Sequence, residues 1–459
     1  MKKPKISVYI PSRNYGKYLQ EAIESVLRQT VDSWELLLID VGSSDNTRDL
    51  MALYKSDPRV RVFTTEDTQL PQVANFALKQ SRGDYIIRLD ADDVFDANIL
   101  LVLSNYLDRY PDVALVFPDY FLVDDHGGII HYEGRQTIYH SNHLLNMPAN
   151  GACTMVRKKV LKNIGGYRED LGAQDGFDLW TKVLEKQHKC ANVNVPLFYY
   201  RRHGKNLTTD QTRILSAKRT IKKDASSINL DKYRPIIAVI PCREHYDIYP
   251  DLWSKKLNKK PLLDIAVETC IASKIFDKII VTSDTADVQD NMVQYKDKRL
   301  QFIERSREST IYSSSVVHTL EYINKILKNK WKGLTVLSYI QAPFTSTQNL
   351  EEAVYTLIYN NADSAFSVEE FGEDVYRRTP HGLTPLNPQG RVKSDFDKIY
   401  ASARTSVATR NINIRTGTLT GAKMAYFVIP KEEAFFINTK RDFEIANILK
   451  KSSPKEILV

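Results

Sequence analysis

The sequence predicts an α/β protein of two domains of similar plan in tandem, each with a mainly parallel sheet flanked by helices. Three observations lead there. Short β-branched strands alternate with amphipathic helical stretches, the order that makes right-handed βαβ units. An apolar strand running into Pro-x-Arg opens the chain at Ile6 to Arg13, and the same opening returns at Ile236 to Arg243. Finally, 459 residues are too many for one ordinary core and suggest about two or three domains.

Ile6 to Ile10 is a β-branched run that ends at Pro11 and reads as a buried strand. After the loop Ser12-Arg13-Asn14-Tyr15-Gly16, the residues Leu19, Ala22, Ile23, Val26 and Leu27 form one apolar helical stripe. The next strand, Glu35 to Ile39, runs into Asp40 and the turn-forming Gly42-Ser43-Ser44-Asp45. A later one, Tyr85 to Leu89, runs into Asp90-Ala91-Asp92-Asp93. Ligands of open α/β sheets gather beyond the carboxyl ends of the strands, where both acidic clusters fall. From Gly204 to Arg234 the chain is polar and lysine-rich with one weak helical stretch. The expected organisation is therefore a domain over 1–210, a linker over 211–234 and a domain over 235–459. The second domain continues with strand Ile236 to Ile240, a helix carrying Leu262, Leu263, Ala266, Val267, Cys270 and Ile271, and strand Lys278 to Thr282 before Ser283-Asp284. Strands Thr335 to Ile340 and Ser364 to Val368 follow. The likeness of the halves is architectural and too weak to be a sequence repeat.

With 42% hydrophobic residues the chain has the material for packed interiors, which excludes disorder as the expectation. The net charge of +8, from 64 Lys and Arg against 56 Asp and Glu, reads as a slightly basic solvated surface. It also suits anionic substrates or peripheral contact with an anionic membrane face. Arg and aromatic residues form no alternating stripe, so no nucleic-acid partner is expected. Cys153, Cys190, Cys242 and Cys270 lack CxxC spacing and read as reduced, mostly buried thiols of a cytosolic protein. The apolar run in MKKPKISVYIPSRN is too short for a signal peptide. Val113 to Val123, broken by Pro118 and Asp119, falls short of the ~20 residues that span a bilayer. The expected location is cytoplasmic, free or peripheral to the inner face of the membrane. Oligomeric state is not legible.

Asp90 and Asp92, at i and i+2 around small Ala91, can present carboxylates to one hard cation such as Mg²⁺ or Mn²⁺ at a strand end. A solvated acidic turn is the structural alternative. The runs IPSRNYGKYLQEAIESVLRQT, LLLIDVGSSDNT and GDYIIRLDADD resemble the family 2 glycosyltransferases of the GT-A fold, as do KNIGGYREDLGAQDGFDLW and PLFYYRRHGKNLT. The resemblance covers residues 5 to 210, in order. It implies metal-dependent, inverting transfer of a hexosyl or N-acetylhexosaminyl group from a nucleoside-diphosphate sugar, a UDP-sugar foremost. The acceptor would be a glycan or lipid-linked molecule in surface polysaccharide or glycoconjugate synthesis.

Carried over by position, Asp40 contacts the base, Pro11, Arg13 and Tyr15 belong to the loop lining the nucleoside, and Asp90 and Asp92 act through the metal. The family often has a second Asp after Asp40, where this chain has Val41. His203, closing a Tyr-Arg-x-His segment, is a third metal ligand, a diphosphate contact or a structural histidine. An inverting transfer needs a general base at the acceptor hydroxyl. The resemblance points to Gln174-Asp175-Gly176-Phe177-Asp178, and within it Asp175 is favoured. Gly176 suggests a loop end there, whereas Asp178 reads as a helix cap.

From Ile236 onward the chain resembles the acylneuraminate cytidylyltransferases, which activate sialic acids and related sugar acids with CTP. IIAVIPCR, KKPLLDIAVETCIASKIFDKIIVTSD, YIQAPFTSTQNLEEAV, ADSAFSVEE, TGAKMAYFVIP and INTKRDFEIANILK carry the likeness. Both halves are thus expected to be nucleotide-diphospho-sugar-transferase-like, GT-A or Rossmann-like in fold. That family cradles the CTP phosphates with glycine and lysine after Pro-x-Arg. Here the loop Glu244 to Trp253 has no glycine, three acids and bulky rings. The family's metal-binding Asp-Ile-Asp appears as Phe436-Ile437-Asn438, and Asp442 suits the helix that follows. The second half is therefore expected to have lost nucleotide transfer while keeping Arg243, Asp284 and Gln341. The alternatives are a bifunctional enzyme that also makes a CMP-sugar acid, and a non-catalytic scaffold.

Overall fold

A computed structural model describes residues 3–66, 69–135, 151–204, 210–306, 315–327, 332–372, 374–380, 382–386 and 398–452. The chain divides into two compact units, Met1–Ile221 with Val375–Lys398 and Lys222–Asp374 with Ile399–Val459.

The first unit runs β1 (Ile6–Ser12), α1 (Gly16–Leu27), β2 (Trp34–Asp40), α2 (Thr47–Leu53), β3 (Val60–Thr64), α3 (Leu70–Gln80), β4 (Tyr85–Arg88) and β5 (Val94–Phe95). It continues with α4 (Ile99–Arg109), β6 (Val113–Val123), β7 (Ile129–Glu133), β8 (Met155–Arg157), α5 (Lys158–Asn163), α6 (Asp175–Glu185) and β9 (Lys189–Arg201). Helix α7 (Gln211–Ser227) occupies much of the expected linker, and the division between the units falls inside it, at Ile221.

The sheet order is β3-β2-β1-β4-β8-β6-β9-β5, with β7 beside β6. Strands β3, β2, β1 and β4 are parallel; β8 joins β4 and β6 antiparallel, and β9 joins β6 parallel. The stripe of α1 reaches the core as read: Leu19, Ala22, Ile23 and Val26 are fully buried on Ile6, Val8, Ile10, Leu36 and Leu38. β1 is longer than its apolar run and continues through Pro11 to Ser12. It pairs with β4 only as far as Tyr9, but with β2 as far as Asp40. Proline is tolerated there because the β4 side has no ladder left for its missing N–H. The chain leaves β1 for β2 on one side and reaches β4 on the other, which makes the crevice beyond β1 a topological switch point.

The second unit holds β10 (Ile236–Pro241), the short pair β11 (Lys256–Leu257) and β12 (Lys260–Pro261), α8 (Leu262–Ala272), β13 (Lys278–Ser283), α9 (Ala286–Met292), β14 (Leu300–Glu304), α10 (Val316–Ile326), β15 (Leu334–Ser338), α11 (Thr347–Tyr359) and β16 (Ser364–Phe371). Between β16 and β19 the segment Val375–Lys398, which groups with the first unit, forms the hairpin β17 (Tyr376–Thr379) and β18 (Gly382–Pro385); the second unit resumes with β19 (Ile399–Arg410), α12 (Asn411–Arg415), β20 (Met424–Val428) and α13 (Lys440–Ser452). Its sheet is ordered β14-β13-β10-β15-β19-β16-β20, with β10 parallel to both neighbours and β19 antiparallel to β15 and β16. The plan of a central first strand between two parallel partners is shared by both units. All four cysteines are buried and unpaired. Among the described residues no helix is long and apolar enough to cross a membrane.

Candidate active site

In the first unit the loops after β1 and β2 are laced together. Asn14 adopts a left-handed φ of 60°, its side-chain carbonyl accepts the N–H of Ser44 at 2.7 Å, and its own N–H donates to Ser43 Oγ at 3.0 Å. The N–H of Gly16 donates to Asp45 at 2.9 Å, and a Cβ on Gly16 would lie 1.9 Å from the Asn46 amide oxygen. Asp40, the last residue of β2, is buried; it accepts the Ser43 N–H at 3.0 Å and pairs with Arg48 at 2.6 Å. Burial opposes its charge, but these partners outweigh burial and hold its carboxyl below the usual range. Pro11 lies opposite Ile39 in the ladder, Arg13 is exposed, and Tyr15 is partly buried at the mouth of the crevice. Burial, then the charges of Asp92, Asp90 and Asp93, push the Tyr15 phenol up.

Beyond β4 the chain turns tightly, with the Asp93 N–H donating to the Asp90 carbonyl at 3.1 Å. Asp92 Oδ2 lies 2.9 Å from His203 Nε2. The imidazole is stacked on Tyr18, with ring centres 5.2 Å apart, and meets Tyr15 edge-on at 5.9 Å. His203 reaches this place because the end of β9 is fastened beside it. The Arg201 N–H donates to buried Asp93 at 3.0 Å, its Nε to the Asp92 carbonyl at 2.9 Å, and its guanidinium pairs with Glu21 at 2.6 Å. The last residues of the run PLFYYRRHGKNLT, 205–208, lie outside the described residues.

Asp90 pairs through Oδ1 with Arg88 Nε at 2.9 Å, and Arg88 Nη1 reaches Asp175 Oδ2 at 2.5 Å. Burial pushes the Asp90 carboxyl up to about 6; Arg88 opposes the shift, and Asp92 and Asp175 add to it. Asp175 is the first residue of α6, preceded by Gln174 in the left-handed region at φ 63°. The helix has no side-chain cap; Asp178, expected as one, pairs with Lys182 at 2.9 Å, and burial raises its carboxyl. Asp175 therefore joins Asp90 through Arg88, while Asp178 is held along its own helix.

Cation binding can be tested on this geometry. Among the described residues no group of three or more His, Cys, Asp and Glu side chains could hold a metal ion. Mg²⁺-like ions need no such cage: they take one or two carboxylates, substrate phosphates and water. Asp92 Oδ2 and His203 Nε2 are joined by a hydrogen bond at 2.9 Å. That separation is close to the ~3.0 Å between neighbouring ligands of an octahedral ion at ~2.1 Å, so a cation could replace the shared proton without moving either side chain far. The donor set fits a cation completed by a diphosphate.

Reading the sequence missed Arg88, Gly151 and Arg201. A Cβ on Gly151 would lie 2.6 Å from Asp175 Oδ2 and 3.1 Å from Arg88 Nη2, so a larger residue there would displace the paired side chains. Arg88 left a signal: it is the one charge inside the apolar strand YIIRL, and a buried guanidinium demands carboxylate partners.

In the second unit the substituted loop packs inward. Tyr246, Ile248 and Leu252 are buried, the Arg243 guanidinium lies 4.6 Å over the Tyr246 ring, and the Glu244 N–H donates to Asp284 at 2.8 Å. Phe436 packs on Tyr339 with ring centres 6.1 Å apart, and the Ile437 N–H donates to the Gln341 carbonyl at 2.8 Å. Asp442 accepts from the Asn438 and Thr439 N–H groups at 2.9 and 2.8 Å, while its own N–H donates to Thr439 Oγ1 at 3.2 Å. That reciprocal pattern is a capping box for α13.

Residues 7–165 match the family model described as glycosyl transferase family 2, and residues 254–449 match that described as cytidylyltransferase. The chain is 31% identical over 191 residues to UDP-Glc:alpha-D-GlcNAc-diphosphoundecaprenol beta-1,3-glucosyltransferase WfgD of Escherichia coli, covering 41% of this chain and 73% of that one. It is 25% identical over 247 residues to chondroitin synthase of Escherichia coli, covering 53% of this chain and about a third, 36%, of that one. Among solved structures, S. aureus TarS 1-349 in complex with UDP-GlcNAc is similar at 18% identity and a TM-score of 0.42, covering 48% of this chain and 65% of that one.

Proposed function

The chain belongs to the family 2 glycosyltransferases, fused to a cytidylyltransferase-like second half, and from that premise we propose that its first unit is a metal-dependent inverting glycosyltransferase. The observation that carries the reading is the Asp92–His203 pair at 2.9 Å beside Asp90, with Asp175 one guanidinium away. Donor-side and acceptor-side carboxylates share one crevice beyond the parallel strands.

The donor is a UDP-sugar in this reading, and the acceptor a glycan or lipid-linked molecule of surface polysaccharide synthesis; WfgD, by its name, moves glucose from UDP-Glc to a diphosphoundecaprenol-linked sugar. Asp40 and the Pro11, Arg13 and Tyr15 loop hold the nucleoside. Asp92 and His203, with Asp90 beside them, would hold Mg²⁺ or Mn²⁺, and a cation bound there would neutralise charge on the departing diphosphate. Asp175 takes the proton of the acceptor hydroxyl as its oxygen bonds to the anomeric carbon. The bond from that carbon to the diphosphate oxygen breaks, and its electron pair leaves with UDP. Calorimetric titration with UDP tests the site: binding in the presence of Mn²⁺ that is lost in EDTA supports it, and cation-independent binding contradicts it.

The second unit keeps the fold without the tools for CTP. Tyr246 fills the loop where phosphates need open amides, and Phe436 and Asn438 stand where carboxylates would hold a metal. We read it as a module that no longer transfers nucleotides.

A further inference from the structure

We propose that Arg88 is the positioning residue of this site, fixing the acceptor-side carboxylate Asp175 against the donor-side carboxylate Asp90. The inference rests on the reading of Asp175 as the base and adds to it a residue that binds neither sugar nor nucleotide.

Arg88 is 5% exposed, and a guanidinium so buried must spend its donors on partners inside the protein. Both charged partners are carboxylates of the crevice: Nη1 donates to Asp175 Oδ2 at 2.5 Å, and Nε stands 2.9 Å from Asp90 Oδ1 as an ion pair without hydrogen-bond alignment. The two acids come from different elements, the turn after β4 and the first residue of α6, and Arg88 pairs with each of them. The planar fork of arginine serves two carboxylates with separate nitrogens, which the point charge of lysine does poorly. The backbone of Arg88 is equally fixed, lying opposite Tyr9 in the β1–β4 ladder with its carbonyl accepting the Cys153 N–H at 2.7 Å. Gly151 completes the arrangement, since a Cβ there would enter the space of Asp175 Oδ2 and Arg88 Nη2. The bridge sets where the base oxygen stands relative to the diphosphate end, and misplacement of a catalytic group by about 1 Å costs on the order of 100-fold in rate.

The test compares Arg88→Lys, Gly151→Ala, Asp175→Asn and the Arg88→Lys/Asp175→Asn double variant in the full chain. UDP release is followed with whichever of UDP-glucose, UDP-galactose, UDP-N-acetylglucosamine and UDP-glucuronate the wild type consumes fastest, and UDP–Mn²⁺ affinity is measured by calorimetry. Arg88→Lys should lower kcat about 100-fold while UDP affinity changes less than about threefold, and on the Asp175→Asn background it should add less than about threefold. Gly151→Ala, which keeps every charge, should lower kcat at least about tenfold. Wild-type kcat in Arg88→Lys, or a loss of full size on the Asp175→Asn background, overturns the proposal. Should Arg88→Lys fail to fold in a thermal melt, a folded Gly151→Ala protein with wild-type kcat overturns it instead. Wild-type turnover in Asp175→Asn alone would remove the base reading itself, an outcome separate from these.

Discussion

At the scale of residues, the crevice of the first unit is a concentration of like charge. Asp90, Asp92, Asp93 and Asp175 stand together, and the charge of Asp92 is among the causes that raise the carboxyls of both Asp90 and Asp93. Asp92→Ala removes a repulsion from Asp90 and Asp93 but also the hydrogen-bonded partner of His203, so the two effects oppose and the melting temperature should change little. Turnover should nevertheless fall about 100-fold or more, as charge stabilisation of a leaving group is lost. A thermal melt paired with a UDP-release assay checks both halves, and a folded Asp92→Ala enzyme with normal turnover would refute the ligand assignment. Asp175→Asn should separate the other way, with kcat sharply reduced and UDP affinity kept, because a base acts on the acceptor side. Collapse of UDP affinity with chemistry intact would place Asp175 on the donor.

At the scale of elements, two places show what packing does with polar residues. Asp442 is bonded as the N3 member of a capping box on α13. Asp442→Ala should therefore cost about 1 kcal/mol in the second unit and leave turnover of the first unchanged, as urea denaturation and the UDP-release assay would show. Helix α7 buries Ala217, Ile221, Lys222 and Ser226. Lys222 pairs with buried Glu352 and donates to Thr356 at 3.0 Å. Lys222→Ala should destabilise the second unit by about 3 kcal/mol, since it takes the lysine from a buried carboxylate; an unchanged urea midpoint would deny the pair its role. This helix also shows why some of the fold was illegible. Two of its buried positions are a lysine and a serine, so the apolar stripe looks broken and the segment reads as a polar linker. The strands leading to Asp40 and Asp90 were legible because each is an apolar run stopped by acids. The Arg88 bridge was not, because it joins residues far apart in sequence. Asp178 was misread as a cap because first-turn acids look alike in sequence, and only the fold shows one paired with Lys182 and the other with Arg88.

At the scale of the whole molecule, one architectural plan occurs twice with opposite treatment of the ligand end. The first unit keeps a cluster of acids and a histidine beyond its central strands. The second fills the corresponding loop with Tyr246 and caps a helix where a metal site would lie. Full-length protein given CTP, Mg²⁺ and eight- or nine-carbon sugar acids should release no pyrophosphate above background. Turnover on the order of 1 s⁻¹, ordinary for enzymes, would mean that the rebuilt loop works and the protein is bifunctional. The central claim, that the first unit transfers sugar from a nucleoside diphosphate with a cation held by Asp92 and His203, is tested most directly by UDP release from the four UDP-sugars with Mn²⁺ and with EDTA. One sugar should be consumed with Mn²⁺, EDTA should stop it, and Asp92→Ala and His203→Ala should each reduce it at least about tenfold. Consumption that persists in EDTA, or that survives both substitutions at the wild-type rate, would contradict that claim.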